Sequence, residues 1–151
     1  MQRLMVYCGV DVSKHSFLVS IKNGRFMIKD RVFNMDRQGF EEFEEIIKGF
    51  RDDLLIGMEP TGIYHQNLLN FLKDRGYNSV VVNPYNLKQF FRFTNNKPTK
   101  TDKKDAKTIC EFVEFKKEEL IKENRGIDES RYKIRQLVRE KERVTALIAW
   151  T

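Results

Sequence analysis

The sequence predicts an α/β domain: a mixed sheet with helices on both faces, followed by a C-terminal helix. Three observations carry this. Residues 4–12, LMVYCGVDV, form a near-continuous apolar run rich in β formers, as a central strand buried on both faces requires. The next two stretches alternate polar and apolar residues and are joined by Asn23-Gly24, a strong hairpin signal, so the first three strands form an antiparallel meander. Beyond residue 34, short apolar strands alternate with helical periodicities, the pattern that lays helices over a sheet.

The 151 residues suit one domain, and a 40% apolar content supplies a sizeable core, much of its bulk from 12 Phe and 5 Tyr. A net charge of +6 and a pI near 9.3 favour an anionic partner. Cys8 and Cys110 are isolated in apolar contexts, which argues against a disulfide framework and for a reducing cytosol. No apolar run approaches the roughly 18 residues of a membrane span, and the N-terminus lacks a signal-peptide core. The expectation is a cytoplasmic protein with no membrane partner.

The first strand closes on Asp11, a carboxylate that belongs at the rim of a sheet, and Ser13-Lys14-His15 makes a turn. Phe17 to Ile21 is the second strand. Arg25 to Phe33 is the third, with Phe26, Ile28 and Val32 assigned to its buried side. Asn34 or Asp36 caps a helix whose Phe40, Phe43, Ile47 and Phe50 face inward, while Glu41, Glu42, Glu44 and Glu45 form a solvated face with no catalytic role. Leu54 to Met58 is a buried strand, again closed by an acid, Glu59, ahead of Pro60. Ile63 to Arg75 is a helix with Leu68, Leu69 and Leu72 inward and Gly76 at its C-terminal cap. Ser79 to Val82 is the last strand, and Tyr85 to Phe93 a short aromatic helix or turn carrying Lys88 and Arg92.

A polar loop spans residues 94–100. A helix then runs from Asp102 to about Phe115 with Ala106, Ile109, Cys110 and Val113 packed. Lys116 to Gly126 reads as a charged connector, and a final helix begins near Ser130. Its Ile134, Leu137, Val138, Val144, Leu147 and Ile148 approach heptad spacing, interrupted at Lys141. No stop signal precedes Thr151, so further protein is expected beyond it.

This order of elements is that of the RNase H-like fold, in which the first and fourth strands lie together at the centre. Asp11 and Glu59 would then meet, joined by Asp102 and Asp105 from the turn that starts the later helix. Carboxylates in such a group repel unless cations bind, and hard divalent ions with oxygen ligands answer that need. Each acid alone has a plainer reading: Asp11 as a strand end, Glu59 as an acid favoured by a helix dipole, Asp102 as an N-cap. Their joint occurrence favours the metal site. Lys100, Lys103, Lys104 and Lys107, with Lys14 a weaker candidate, are either a solvated face or phosphate contacts, and the neighbouring acids favour the latter. Thr61 and Asn83 are assigned to capping and turns. His15 and His65 are assigned to the surface. Tyr85, Phe90, Phe91 and Phe93 either stack on bases or pack in the core, the core being preferred for most.

The segments CGVDVSK (8–14), GMEPTGIYHQNL (57–68), VVNP (81–84) and KTDKKDA (100–106) resemble the DEDD-type transposases of the IS110 insertion-sequence family. These are relatives of the Piv DNA invertase with a RuvC-like N-terminal domain. The resemblance covers nearly the whole chain. It implies that Asp11, Glu59, Asp102 and Asp105 are the catalytic acids and hold one or two Mg²⁺ ions, with Mn²⁺ as a substitute. It implies strand cleavage and strand transfer on DNA in a bacterial or archaeal cell, with action at the nucleoid. It also implies a second domain with a catalytic serine, a helical segment leading to it, and for some members a structured bridge RNA as guide. On this reading residues 1–118 are the catalytic domain, and residues 119–151 are the connector and the start of the helical segment of a homo-oligomer. Two alternatives stay open: a stand-alone RuvC-like Holliday-junction nuclease, and a non-catalytic nucleic-acid-binding or oligomerisation module.

Overall fold

In the computed structural model, residues 6–95 and 106–149 are described. Five strands, β1 (Val6–Val12), β2 (Ser16–Asn23), β3 (Phe26–Asn34), β4 (Leu54–Met58) and β5 (Asn78–Val81), form one sheet in the order β3-β2-β1-β4-β5. β1 pairs antiparallel with β2 and parallel with β4, and β5 extends the parallel side. The meander is therefore joined at β1 to a parallel pair reached by helical crossovers, as expected. Because β1 and β4 are covered on both faces, nearly every residue in them is buried.

One face of the sheet packs on α1 (Arg37–Ile47) and α2 (His65–Asp74). Val6, Cys8, Val10 and Val12 of β1 join Leu54, Ile56 and Met58 of β4 there, opposite Phe40, Phe43 and Ile47 of α1 and Leu68, Leu69 and Leu72 of α2. Phe17 centres an aromatic cluster, with ring centroids 5.3 Å from Phe33 and 5.6 Å from Phe43. Asp36 caps α1, its Oδ1 accepting from the Gly39 amide at 2.7 Å. A 3-10 turn, Lys48–Asp53, leads into β4. The other face carries α4 (Ala106–Phe115), preceded in the chain by α3 (Pro84–Asn95).

Three expectations need correction. In β3, Lys29 and Asp30 stand where β2 has only Ser20, so the register shifts between Val19↔Arg31 and Ile21↔Ile28. The bulge reverses the alternation. Val32 then pairs with Leu18 on the far face and is 64% exposed, while Phe33 takes the buried side. Phe26, beside the Gly24-Arg25 turn, is 79% exposed. Second, Glu44 is not a solvated acid: Arg75 Nε meets it at 3.0 Å and Arg51 at 3.8 Å. Third, the expected connector is helical: α5 runs unbroken from Lys117 to Ala149, through Gly126. The backbone there follows helix-forming Glu and Lys on both sides of the glycine, which outweigh its cost.

The chain divides into two compact units, Met1–Lys117 and Glu118–Thr151. In the second, the apolar side chains of Ile134, Leu137, Val138, Val144, Leu147 and Ile148 are all exposed.

Candidate functional site

Asp11 is half-buried between two buried neighbours, Val10 and Val12. Alternation puts it on the face opposite Val10, the face that α4 covers. Val10 pairs with Met58 in the parallel β1–β4 ladder, so the next residue along each strand, Asp11 and Glu59, stand level at the same rim. The end of β4 is held by β5: the Val82 amide donates to the Met58 carbonyl at 2.8 Å. Glu59 is half-buried as well.

Two glycines let α4 approach this rim. A Cβ on Gly9 would run into the Ala106 carbonyl and the Cys110 backbone, with Cys110 Cα at 2.9 Å. A Cβ on Gly57 would strike Val113 and stand 3.1 Å from Val82 Cγ2. The first described turn of α4 thus lies directly on β1, two residues before Asp11 on the same face. The Cys110 thiol donates to the Tyr7 carbonyl at 3.2 Å, and Lys22 Nζ on β2 meets Glu114 Oε2 at 2.9 Å. The hydrogen bond to Glu114 raises the Lys22 pKa. Burial pushes the Cys110 thiol up to about 12 and Cys8 well above its ordinary value, so both stay protonated and serve packing.

Asp102, Asp105, Lys100, Lys103 and Lys104 lie outside the described residues. Ala106, which follows Asp105 in the chain, is the residue laid over Gly9. Lys14 is exposed in the turn after Asp11, and Lys107 is exposed at the start of α4. Among the described residues no group of three or more His, Cys, Asp or Glu side chains is placed to hold a metal. The Asp11–Glu59 pair alone offers carboxylate oxygens, the donor type that hard divalent cations take.

Two other assignments are settled. Asn83 is a cap: its Oδ1 accepts from the Tyr85 amide at 2.9 Å and the Asn86 amide at 3.3 Å. His65 is buried at the start of α2 rather than on the surface, burial lowers its pKa, and its Nδ1 has no hydrogen-bond partner among the described residues. Sequence reasoning gave no role to Gly9 or Gly57. The available signal was a glycine inside a buried strand, which marks a close backbone approach.

A family model described as a transposase, of the DEDD IS110 type, matches residues 8–150. Among solved structures, the chain is similar to Thermus thermophilus RuvC in complex with a Holliday junction substrate. That match has a TM-score of 0.52 and 13% identity, over 76% of this chain and 95% of that one. A second Thermus thermophilus RuvC structure matches with a TM-score of 0.51 and 14% identity, over 76% of this chain and 96% of that one. At such identities the likeness is one of fold, and the fold is RuvC-like. No curated protein matches the chain.

Proposed function

The chain belongs to the DEDD transposase family of the IS110 type, and on that premise we propose that it carries the phosphodiester chemistry of a DNA recombinase. In this reading Asp11, Glu59, Asp102 and Asp105 hold one or two Mg²⁺ ions, or Mn²⁺ in their place, and DNA is the substrate for strand cleavage and strand transfer. The observation that carries it is the register: Asp11 and Glu59 each follow a residue of the last β1–β4 pair, Val10↔Met58, and α4 begins over Gly9 on the face of Asp11. Two carboxylates at one rim offer oxygen ligands of the kind a hard divalent cation takes.

When bound, such ions polarise a phosphoryl oxygen and make a bound hydroxyl more nucleophilic. The chain's own residues do the rest. Asp11 is held in the β1–β2 ladder opposite Leu18, and Glu59 directly follows Met58, the last paired residue of β4, so both acids start from backbone fixed by the sheet. Lys14 and Lys107, with Lys100, Lys103 and Lys104, contact backbone phosphates and hold a strand across the rim. The proposal extends to a cytoplasmic setting, a homo-oligomeric recombinase and a structured guide RNA as further partner.

The test is Mn²⁺ titration of this chain in the presence of duplex DNA, followed by electron paramagnetic resonance. Asp11→Asn and Glu59→Gln should each weaken Mn²⁺ binding by at least roughly tenfold, with the circular dichroism spectrum unchanged. Binding that survives both substitutions would sink the metal assignment. Cutting of a four-way junction by paired nicks, without strand joining, would move the reading to a junction resolvase. DNA binding with no metal-dependent cutting, intact after loss of all four acids, would make it a binding module.

A further inference from the structure

Phe17, Phe33, Phe40, Phe43 and Phe71 pack in the core, but the phenylalanines where α3 meets α4 do not all follow them. Phe93 is 83% exposed and Phe115 is 64% exposed. They are not loose ends. Phe90 lies half-buried with its ring 5.3 Å from Phe115 and 5.5 Å from the buried Phe112, which ties the outer rings to the domain. Phe93 and Phe115 both line a groove of about 360 Å³ that also presents Asn86, Gln89 and Lys116.

The charged side chain that lines this groove is a lysine, Lys116. α3 carries Lys88 and Arg92, both exposed, and no Asp or Glu. Lys116 Nζ stands 5.6 Å from the Phe115 ring centroid. The acids Glu111 and Glu114 of α4 line a neighbouring hollow that shares Phe90, Phe93 and Phe115 with this groove, and Glu114 is paired there with Lys22. Exposed aromatic faces, side-chain amides and cations together fit a nucleotide strand: rings stack on rings, amides meet base edges and cations meet phosphates. A duplex keeps its base faces covered, so only unpaired bases can use such platforms.

We propose that the α3–α4 groove is a stacking site for unpaired DNA bases, with Phe93 and Phe115 as platforms, Asn86 and Gln89 toward base edges and Lys116 toward a backbone phosphate. DNA is the occupant because the chain belongs to a transposase family and strand exchange leaves bases unpaired. The site needs no metal, so its fate is separable from that of the carboxylates.

The experiment is fluorescence anisotropy with the whole chain in EDTA, using oligo-dT of about 12 nucleotides, the matching oligo-rU and a duplex of the same length. Phe93→Ala and Phe115→Ala should each weaken oligo-dT binding about tenfold and leave duplex binding unchanged. Phe93→Trp should restore it. Lys116→Ala should lower the slope of log affinity against log salt by about 0.7 between roughly 50 and 200 mM. Because Phe93 is so exposed, its alanine variant keeps the fold, and circular dichroism checks that. Unchanged oligo-dT affinity in Phe93→Ala overturns the proposal. So does tighter, Phe93-dependent binding of oligo-rU, which would assign the groove to RNA. Loss of a dimer in Phe93→Ala, seen by sedimentation, would overturn it in favour of a protein interface.

Discussion

Gly9 sets how closely α4 can approach the strand that carries Asp11. Its missing Cβ is occupied by backbone, the Ala106 carbonyl and the Cys110 amide, and backbone cannot rotate away as a side-chain tip would. Gly9→Ala should therefore destabilise the chain by about 1–3 kcal/mol, measured by urea unfolding, because α4 must lift off β1. It should also weaken Mn²⁺ binding, although Gly9 offers no ligand atom. His65 gives a second expectation at this scale. Burial holds its folded pKa below that of the unfolded chain, near 6.5. The unfolded state thus binds the proton more readily, and stability is lost as pH falls from about 6.5 toward the folded pKa. His65→Gln should flatten that part of the urea midpoint against pH. A slope identical to the parent would show that His65 does not report on folding.

Among the elements, α4 packs directly on the strand that carries Asp11, and it is tied to the sheet at three separate strands. Gly9 receives it on β1, Gly57 on β4, and Lys22 reaches Glu114 from β2. The Lys22–Glu114 pair is partly exposed, so a double-mutant cycle with Lys22→Met and Glu114→Gln should give a coupling of only about 0.5–1 kcal/mol, smaller in high salt. A coupling near zero would leave the glycine contacts as the main restraint. The helices α1 and α2 were legible in the sequence because their apolar residues recur every three or four positions and their caps are local. Phe40, Phe43 and Ile47, and Leu68, Leu69 and Leu72, face the sheet as their spacing requires. β3 was not legible in phase, because a bulge opposite Ser20 is a property of the β2–β3 pairing and leaves no mark in β3 itself. Glu44 was misread for the same reason: Arg75, its partner, lies 31 residues away in sequence.

At the scale of the whole molecule, the two units differ in what stabilises them. Met1–Lys117 has a sheet buried on both faces at β1 and β4. In Glu118–Thr151 the described side chains from Lys133 to Ala149 are exposed, so that stretch of helix relies on its own backbone bonds. Hydrogen exchange should separate them, with amides of β1 and β4 opening only with global unfolding and amides of 133–149 exchanging far faster. Equal protection would mean that the apolar stripe of α5 is covered in solution by another copy of the chain. By itself the sequence determined the order of elements, the membership of a transposase family and the two strand-end acids, Asp11 and Glu59. These are written in local periodicity and in short motifs. Only the tertiary structure decided that Asp11 and Glu59 stand level, that α4 begins on Gly9, that α5 is one helix, and that Phe93 and Phe115 remain outside the core. Each depends on which distant backbone arrives beside a residue, and register and close packing are settled only when the strands and helices meet.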